Sequence, residues 1–178
     1  TGPDAAYCTG VVDRGNDLMF TGSFTTSIDF GGQQSLTANG NRGYQIRRSN
    51  DGAFVTPLAF SSSSEPTTHL PTVLARGGGP GELIAGTFRN ELGFGGKVAE
   101  AAGTEADIFA LRVDNGFAPW IFATHAEPIE PGNRLDLAAG FGLDGGAVVG
   151  GTITGGLAKT NGVALNAPHG SSDGYVLV

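Results

Sequence analysis

Lysine, cysteine and long apolar runs are all scarce in this chain of 178 residues, and each scarcity closes off a class of function. Lys97 and Lys159 are the only lysines, and basic residues number 10 against 17 acidic ones, a formal charge of -7. Beyond Arg47-Arg48 no basic cluster exists, so little here could neutralise a phosphate backbone, which argues against nucleic-acid binding as the main role. The single cysteine, Cys8, cannot form an internal disulfide, and its apolar setting predicts a small core residue. No run of about 18 apolar residues is present, so no helix of this sequence spans a bilayer. Charged residues make up only 15 % against 39 % hydrophobic, the reverse of a disordered composition.

Glycine is what the chain has in excess. With 31 Gly and 9 Pro, a helical bundle is disfavoured, because each interior glycine costs a helix about 1 kcal/mol. The glycines follow no three-residue period, so a collagen-like chain is excluded. A compact all-β protein with many tight turns remains. The sequence opens at Thr1 rather than Met, as a processed or partial chain would. Its few lysines and its Thr/Ser/Asn/Gly-rich character suit an exported protein.

The glycines belong to an internal repeat. The run 21–32, TGSFTTSIDFGG, aligns with 85–96, AGTFRNELGFGG, so that Gly22 falls on Gly86 and Phe24 on Phe88. A third copy opens at Gly150-Gly151-Thr152-Ile153, where Gly151 falls on Gly86 at nearly the same step along the chain. Downstream, Gly43-Tyr44-Gln45-Ile46 matches Ile108-Phe109-Ala110-Leu111 and Gly174-Tyr175-Val176-Leu177. Asn50-Asp51-Gly52 and Asp114-Asn115-Gly116 then mark hairpin turns. Each repeat reads as four strands, A to D. The first has them near 6–13, 17–25, 43–49 and 54–62, the second near 70–77, 82–89, 107–114 and 118–125. The third has A near 134–141, B near 146–154 and C near 174–178, with no D strand before Val178. The chain is thus one array of repeats, about 1–65, 66–130 and 131–178. The segment Lys97-Val98-Ala99-Glu100-Ala101-Ala102 has helix propensity and is expected to form at most one helical turn within a long B–C connection. Ser61-Ser62-Ser63-Ser64-Glu65-Pro66 is expected to be a loop between repeats.

A four-stranded unit repeated along a chain is the pattern of a propeller blade. The residues Phe20-Thr21-Gly22-Ser23-Phe24, Asp29-Phe30-Gly31-Gly32 and the run 107–116, DIFALRVDNG, resemble the bacterial SBBP-type β-propeller repeats. The resemblance implies a propeller-like array of antiparallel blades in a secreted, periplasmic or cell-surface protein, typically a scaffold or binding module, with no catalytic motif to carry over. The repeat is longer than the ~40–50 residues usual for a blade, which longer B–C and D–A loops could supply. A β-sandwich is the runner-up architecture, but it gives no reason for a recurring Gly-Ser/Thr-Phe.

Motifs for chemistry are weak. The run 140–145, GFGLDG, fits a dinucleotide G-x-G-x-x-G, but a strand rather than a helix follows, so a turn is expected. Gly77-Gly78-Gly79-Pro80-Gly81 is the equivalent turn one repeat earlier. His69, His125 and His169 share no metal-binding spacing. Glu127 and Glu130 read as a solvated loop, and Asp29, Asp114 and Asp173 as turn residues; a weak calcium site among these aspartates is the one cofactor left open. Asp13, Asp136 and Asp144 would have to cluster for a carboxylate-based hydrolase or lyase. Phe24, Phe88, Tyr44, Phe109 and Tyr175 recur with the repeat and are expected to pack between blades. The expectation is a non-enzymatic interaction module whose uncapped edge, Gly174, Tyr175, Val176, Leu177 and Val178, pairs with another protein chain or another copy. A carbohydrate-binding propeller is the alternative; it is weakened because Trp120, the only tryptophan, has no counterpart in the other repeats.

Overall fold

The computed structural model describes residues 5–32, 34–63, 68–76, 81–101, 106–114, 117–126, 136–141, 146–154, 158–160, 163–165 and 172–177. Among them every regular element is a β-strand. The first repeat contains β1 (Ala6–Asp13), β2 (Asp17–Phe24), β3 (Ser27–Asp29), β4 (Ser35–Thr37), β5 (Arg42–Ser49) and β6 (Phe54–Ala59). The second contains β7 (Thr68–Arg76), β8 (Glu82–Arg89), β9 (Glu91–Phe94), β10 (Lys97–Glu100), β11 (Asp107–Val113) and β12 (Ile121–Ala126). The third contains β13 (Asp136–Phe141), β14 (Ala147–Thr154), β15 (Ala158–Thr160), β16 (Val163–Leu165) and β17 (Ser172–Leu177).

The main sheets run β1-β2-β5-β6, then β7-β8-β11-β12, then β13-β14-β17, each antiparallel throughout. The register of strand B on strand C is the same in all three. Gly22 lies opposite Tyr44, Gly86 opposite Phe109 and Gly151 opposite Tyr175. The recurring glycine and the recurring aromatic are therefore cross-strand partners. The A strand explains why that position must be glycine. Strands β1 and β7 carry a bulge at equivalent residues, Thr9 and Thr72, beside the glycine. A Cβ on Gly22 would overlap the Tyr7 carbonyl oxygen, and one on Gly86 would overlap that of Leu70.

The long B–C connection is a second, smaller hairpin in every repeat: β3 with β4, β9 with β10, and β15 with β16. This added hairpin accounts for the length beyond an ordinary four-stranded unit. In the second repeat the Phe-Gly-Gly motif makes its turn, where Gly95 and Gly96 have φ of 55° and 83°, the left-handed pair a two-residue hairpin loop demands. No helical turn forms at Lys97–Ala101, within the expected limit of at most one, and Ala102 lies outside the described residues. Lys97 to Glu100 form β10, in which Lys97, Val98 and Glu100 are exposed while Ala99 packs on the core. Pairing with β9 and a period-2 apolar face outweigh the few tenths of a kcal/mol per residue that helix propensity offers.

The sheets stack. Met19 and Phe60 of the first repeat share one buried cluster with Ile84, Phe88, Leu92, Phe94, Phe109, Leu111 and Val113 of the second. On the opposite face of the second sheet, Leu83, Ala85 and Ala110 share a cluster with Val149, and Leu137, Ala139 and Phe141 of the third repeat pack against it. Strand β8 is therefore apolar on both faces, and the second sheet lies between the other two. Strand β7 packs on β1 on one side and on β13 on the other. The approach is close: a Cβ on Gly10 would come within 2.7 Å of the Leu74 Cβ. The first two sheets are also tied by polar contacts. Thr9 donates to the Pro71 carbonyl at 2.6 Å and Arg76 to that of Asp13 at 2.7 Å.

Candidate functional site

Strand β17 is the edge of the third sheet: it pairs with β14 over Ser172 to Leu177, and its other side has no partner strand among the described residues. This places Gly174, Tyr175, Val176 and Leu177 on an edge that is unpaired among the described residues, while Val178 lies outside them. An open edge offers alternate N–H and C=O groups at a fixed spacing, which is what an added strand requires. The outer strands of the other two sheets are both engaged. Ser61, just past β6, exchanges two backbone hydrogen bonds with Gly93 of β9, at 2.8 and 2.7 Å. Strand β12 pairs with β15 through Ala126 and Ala158. Ser61 and Ser63 so belong to a docked connection, and Ser63 donates from both N–H and Oγ to the Glu91 carboxylate, which holds that acid below its ordinary value.

Cys8 overturns its expectation as a core residue: it is exposed on β1. It lies opposite Gly22, on the face that carries Phe20 and Phe24. Tyr44 donates its hydroxyl to the Tyr7 carbonyl at 3.3 Å, and its pKa is pushed up to about 12, first by burial and then by the nearby Cys8. The recurring aromatics divide. Phe88 and Phe109 pack between the first two sheets, ring centroids 6.2 Å apart. Phe24 and Tyr44 pack on the other face of the first sheet, under the β3–β4 hairpin. The Tyr175 side chain lies outside the described residues.

His69 is buried, with Nε2 2.7 Å from the Glu91 carbonyl and the ring against Phe60. The His125 side chain and all of His169 lie outside the described residues, as do Glu127, Glu130, Asp144 and the side chains of Asp136 and Asp173. Asp29 accepts from the Gly31 N–H at 2.8 Å and Asp13 from the Gly15 N–H at 2.6 Å, the turn role expected of Asp29. Asp114 pairs with Arg112 at 3.1 Å. Among the described residues no three His, Cys, Asp or Glu side chains come together. The G-x-G-x-x-G stretch joins the antiparallel strands β13 and β14, so no helix N-terminus follows it.

One ionic group has no sequence signature. Glu82, almost fully buried, takes Arg14 Nε on Oε1 at 2.6 Å across the two sheets, while its Oε2 has no hydrogen-bond partner among the described residues. Burial raises its pKa, and Arg14 opposes that rise. Arg14 also reaches Asp17 at 3.3 Å, so the pair joins the A–B turn of the first repeat to the start of β8. The equivalent of Glu82 in the first repeat is Leu18, and that mismatch is the one trace the site leaves in the sequence.

A shallow open depression of about 400 Å³ lies beside Thr37, Asn39, Arg42, Ser61 and Ser62. Phe60, its one aromatic, is 1 % exposed and offers no stacking face to a sugar. Trp120 is half-buried, packed against the cluster between the second and third sheets. No helix among the described residues is long and apolar enough to cross a membrane.

No protein-family model matches the sequence, and neither a curated protein nor a solved structure is similar enough to count as a match.

Proposed function

We propose that the chain is a non-catalytic segment of a β-propeller, its three sheets serving as successive blades, that acts as an interaction and structural subunit of a larger extracytoplasmic assembly. One observation carries the reading: the second sheet meets the first as the third meets the second. In both pairings the A strands pack together, equivalent faces are buried, and the later repeat's hairpin bridges the earlier repeat's outer strand. A repeated operation of this kind generates an array, and an array presents its free edges to partners. The partner seat is the β17 edge, Gly174 to Leu177, completed by a strand from another protein chain.

The test is the mass of the native particle together with hydrogen exchange of the 174–177 amides. The expected result is a heteromeric particle in which those amides are protected and become exposed when the partner is stripped. A particle that stays monomeric in its native extract, with the four amides exchanging freely, overturns the proposal.

A further inference from the structure

The backbone link between repeats recurs at fixed positions. Gly93 of β9 bridges Ser61, and Ala158 of β15 bridges Ala126. Both members advance together, since the step from Ser61 to Ala126 equals the step from Gly93 to Ala158. Moving back from Gly93 by the step that separates Gly86 from Gly22 leads to Asp29, the last residue of β3. Strand β3 pairs with β4 and, among the described residues, with no other strand. The first repeat thus carries the same hairpin without an outer strand docked on it.

The sheet face beside that hairpin shows the same gap. Ile84, Leu92 and Phe94 are all but excluded from solvent because Met19 and Phe60 of the first repeat cover them. Their equivalents Phe20, Ile28 and Phe30 are each only partly buried. Leu74 is partly buried, whereas its equivalent Val11 is 56 % exposed. Pro71 is buried, whereas its equivalent Cys8 is exposed. These apolar positions of equivalent strands are more exposed in the first repeat, where no sheet lies over them among the described residues.

The geometry points to the face formed by Val11, Phe20, Ile28 and Phe30, with the β3 edge at Asp29, as a docking site for one further four-stranded unit of this repeat type, carried by a partner chain and having its outer strand free. The interface already present between the first two sheets defines what this unit supplies. It brings an apolar side chain in the place of Met19 and an aromatic just past its outer strand in the place of Phe60. It also brings an acidic or neutral residue in the place of Arg14, since that residue meets Leu18 and the exposed Arg48 rather than Glu82 and Val113. A second copy of this chain offers no such unit among its described residues, because β9 and β15 engage the ends of its outer strands β6 and β12, and its third sheet, with β17 at the edge, has three strands. The inference rests on reading the sheets as successive units, but it concerns the first sheet and not β17.

Cys8 is a built-in reporter, as the only thiol in the chain. A copy of residues 1–65 bearing Cys8→Ser and Arg14→Glu, fused ahead of the full chain, presents such a unit at high effective concentration. Docking is expected to slow the reaction of Cys8 with a thiol reagent by about tenfold or more and to protect the Asp29 amide from exchange. Adding Met19→Ala and Phe60→Ala to the fused copy is expected to restore the parent reactivity. A Cys8 rate equal to the parent's, whether the added unit folds separately or not at all, overturns the inference. Protection of Cys8 in the unfused chain at rising concentration also overturns it, because a second copy is then the occupant. Neither readout involves the β17 edge, so the reading of that edge fails or stands on its own experiment.

Discussion

Arg48 and Val113 occupy the same position of equivalent strands, opposite Leu18 and Glu82 respectively, yet one is exposed and the other is fully buried. Arg48 lies 5.8 Å over the Phe54 ring and donates to the Gly52 carbonyl, a surface arrangement. Val113 sits in the cluster between the first two sheets. Gln45 and Ala110 form a second pair: both are buried, Gln45 with no partner for Oε1 among the described residues and Ala110 in the cluster facing the third sheet. The register of strand B on strand C is common to the two repeats. What differs is which neighbour each face meets, and the residue type follows the neighbour.

The sharpest way to break that comparison is to exchange the two residue types. Val113→Arg forces a long cationic side chain into a close-packed cluster beside the Arg14–Glu82 pair and is expected to cost about 3 kcal/mol or more, whereas Arg48→Val stays within about 0.5 kcal/mol. Denaturant midpoints of the two variants decide it, and equal losses would mean the two positions are not distinguished by stacking. Next in size are the glycines beneath the bulges. Gly86→Ala and Gly22→Ala each force a Cβ against a carbonyl oxygen, with an expected loss of about 1–3 kcal/mol. The second sheet is held on both faces and cannot shift, so Gly86→Ala is expected to lower the thermal midpoint more than Gly22→Ala.

The smallest effect is the pH dependence of the Arg14–Glu82 link. Because burial raises the Glu82 pKa above its ordinary 4.5, the folded protein holds this proton to higher pH than the unfolded chain. Its contribution to stability is therefore present below pH 4.5 and is lost as pH rises through the raised folded value. Glu82→Gln removes that slope. Thermal midpoints across this acidic range are expected to fall with rising pH more steeply in the parent than in the variant, and parallel curves would refute the assignment.

The strand positions were legible because the signals are local. Glycine opposite an aromatic, an Asn-Asp-Gly turn and a near-constant step from copy to copy are carried by short stretches, and β2, β5, β8, β11 and β14 lie within a residue or two of where those signals put them. The hairpins β3–β4 and β9–β10 were harder. Three- and four-residue strands give too few alternations to beat the helix propensity of Lys97 to Ala102. Cys8 misled for a related reason. An apolar stretch promises burial only when another surface covers it, and the β3–β4 hairpin that buries Phe24 and Tyr44 on this face leaves Cys8 exposed. The Arg14–Glu82 pair was invisible because its partners belong to different repeats and only sheet stacking brings them together.

By itself the sequence determined the all-β class and the positions of the long strands, because hydrogen-bonded register and turn chemistry are written into neighbouring residues. The tertiary structure alone decided which faces are buried, why glycine must sit under each bulge, and that each later hairpin clasps the repeat before it. Those depend on contacts between residues far apart in the chain, such as Ser61 with Gly93, whose pairing no local pattern encodes.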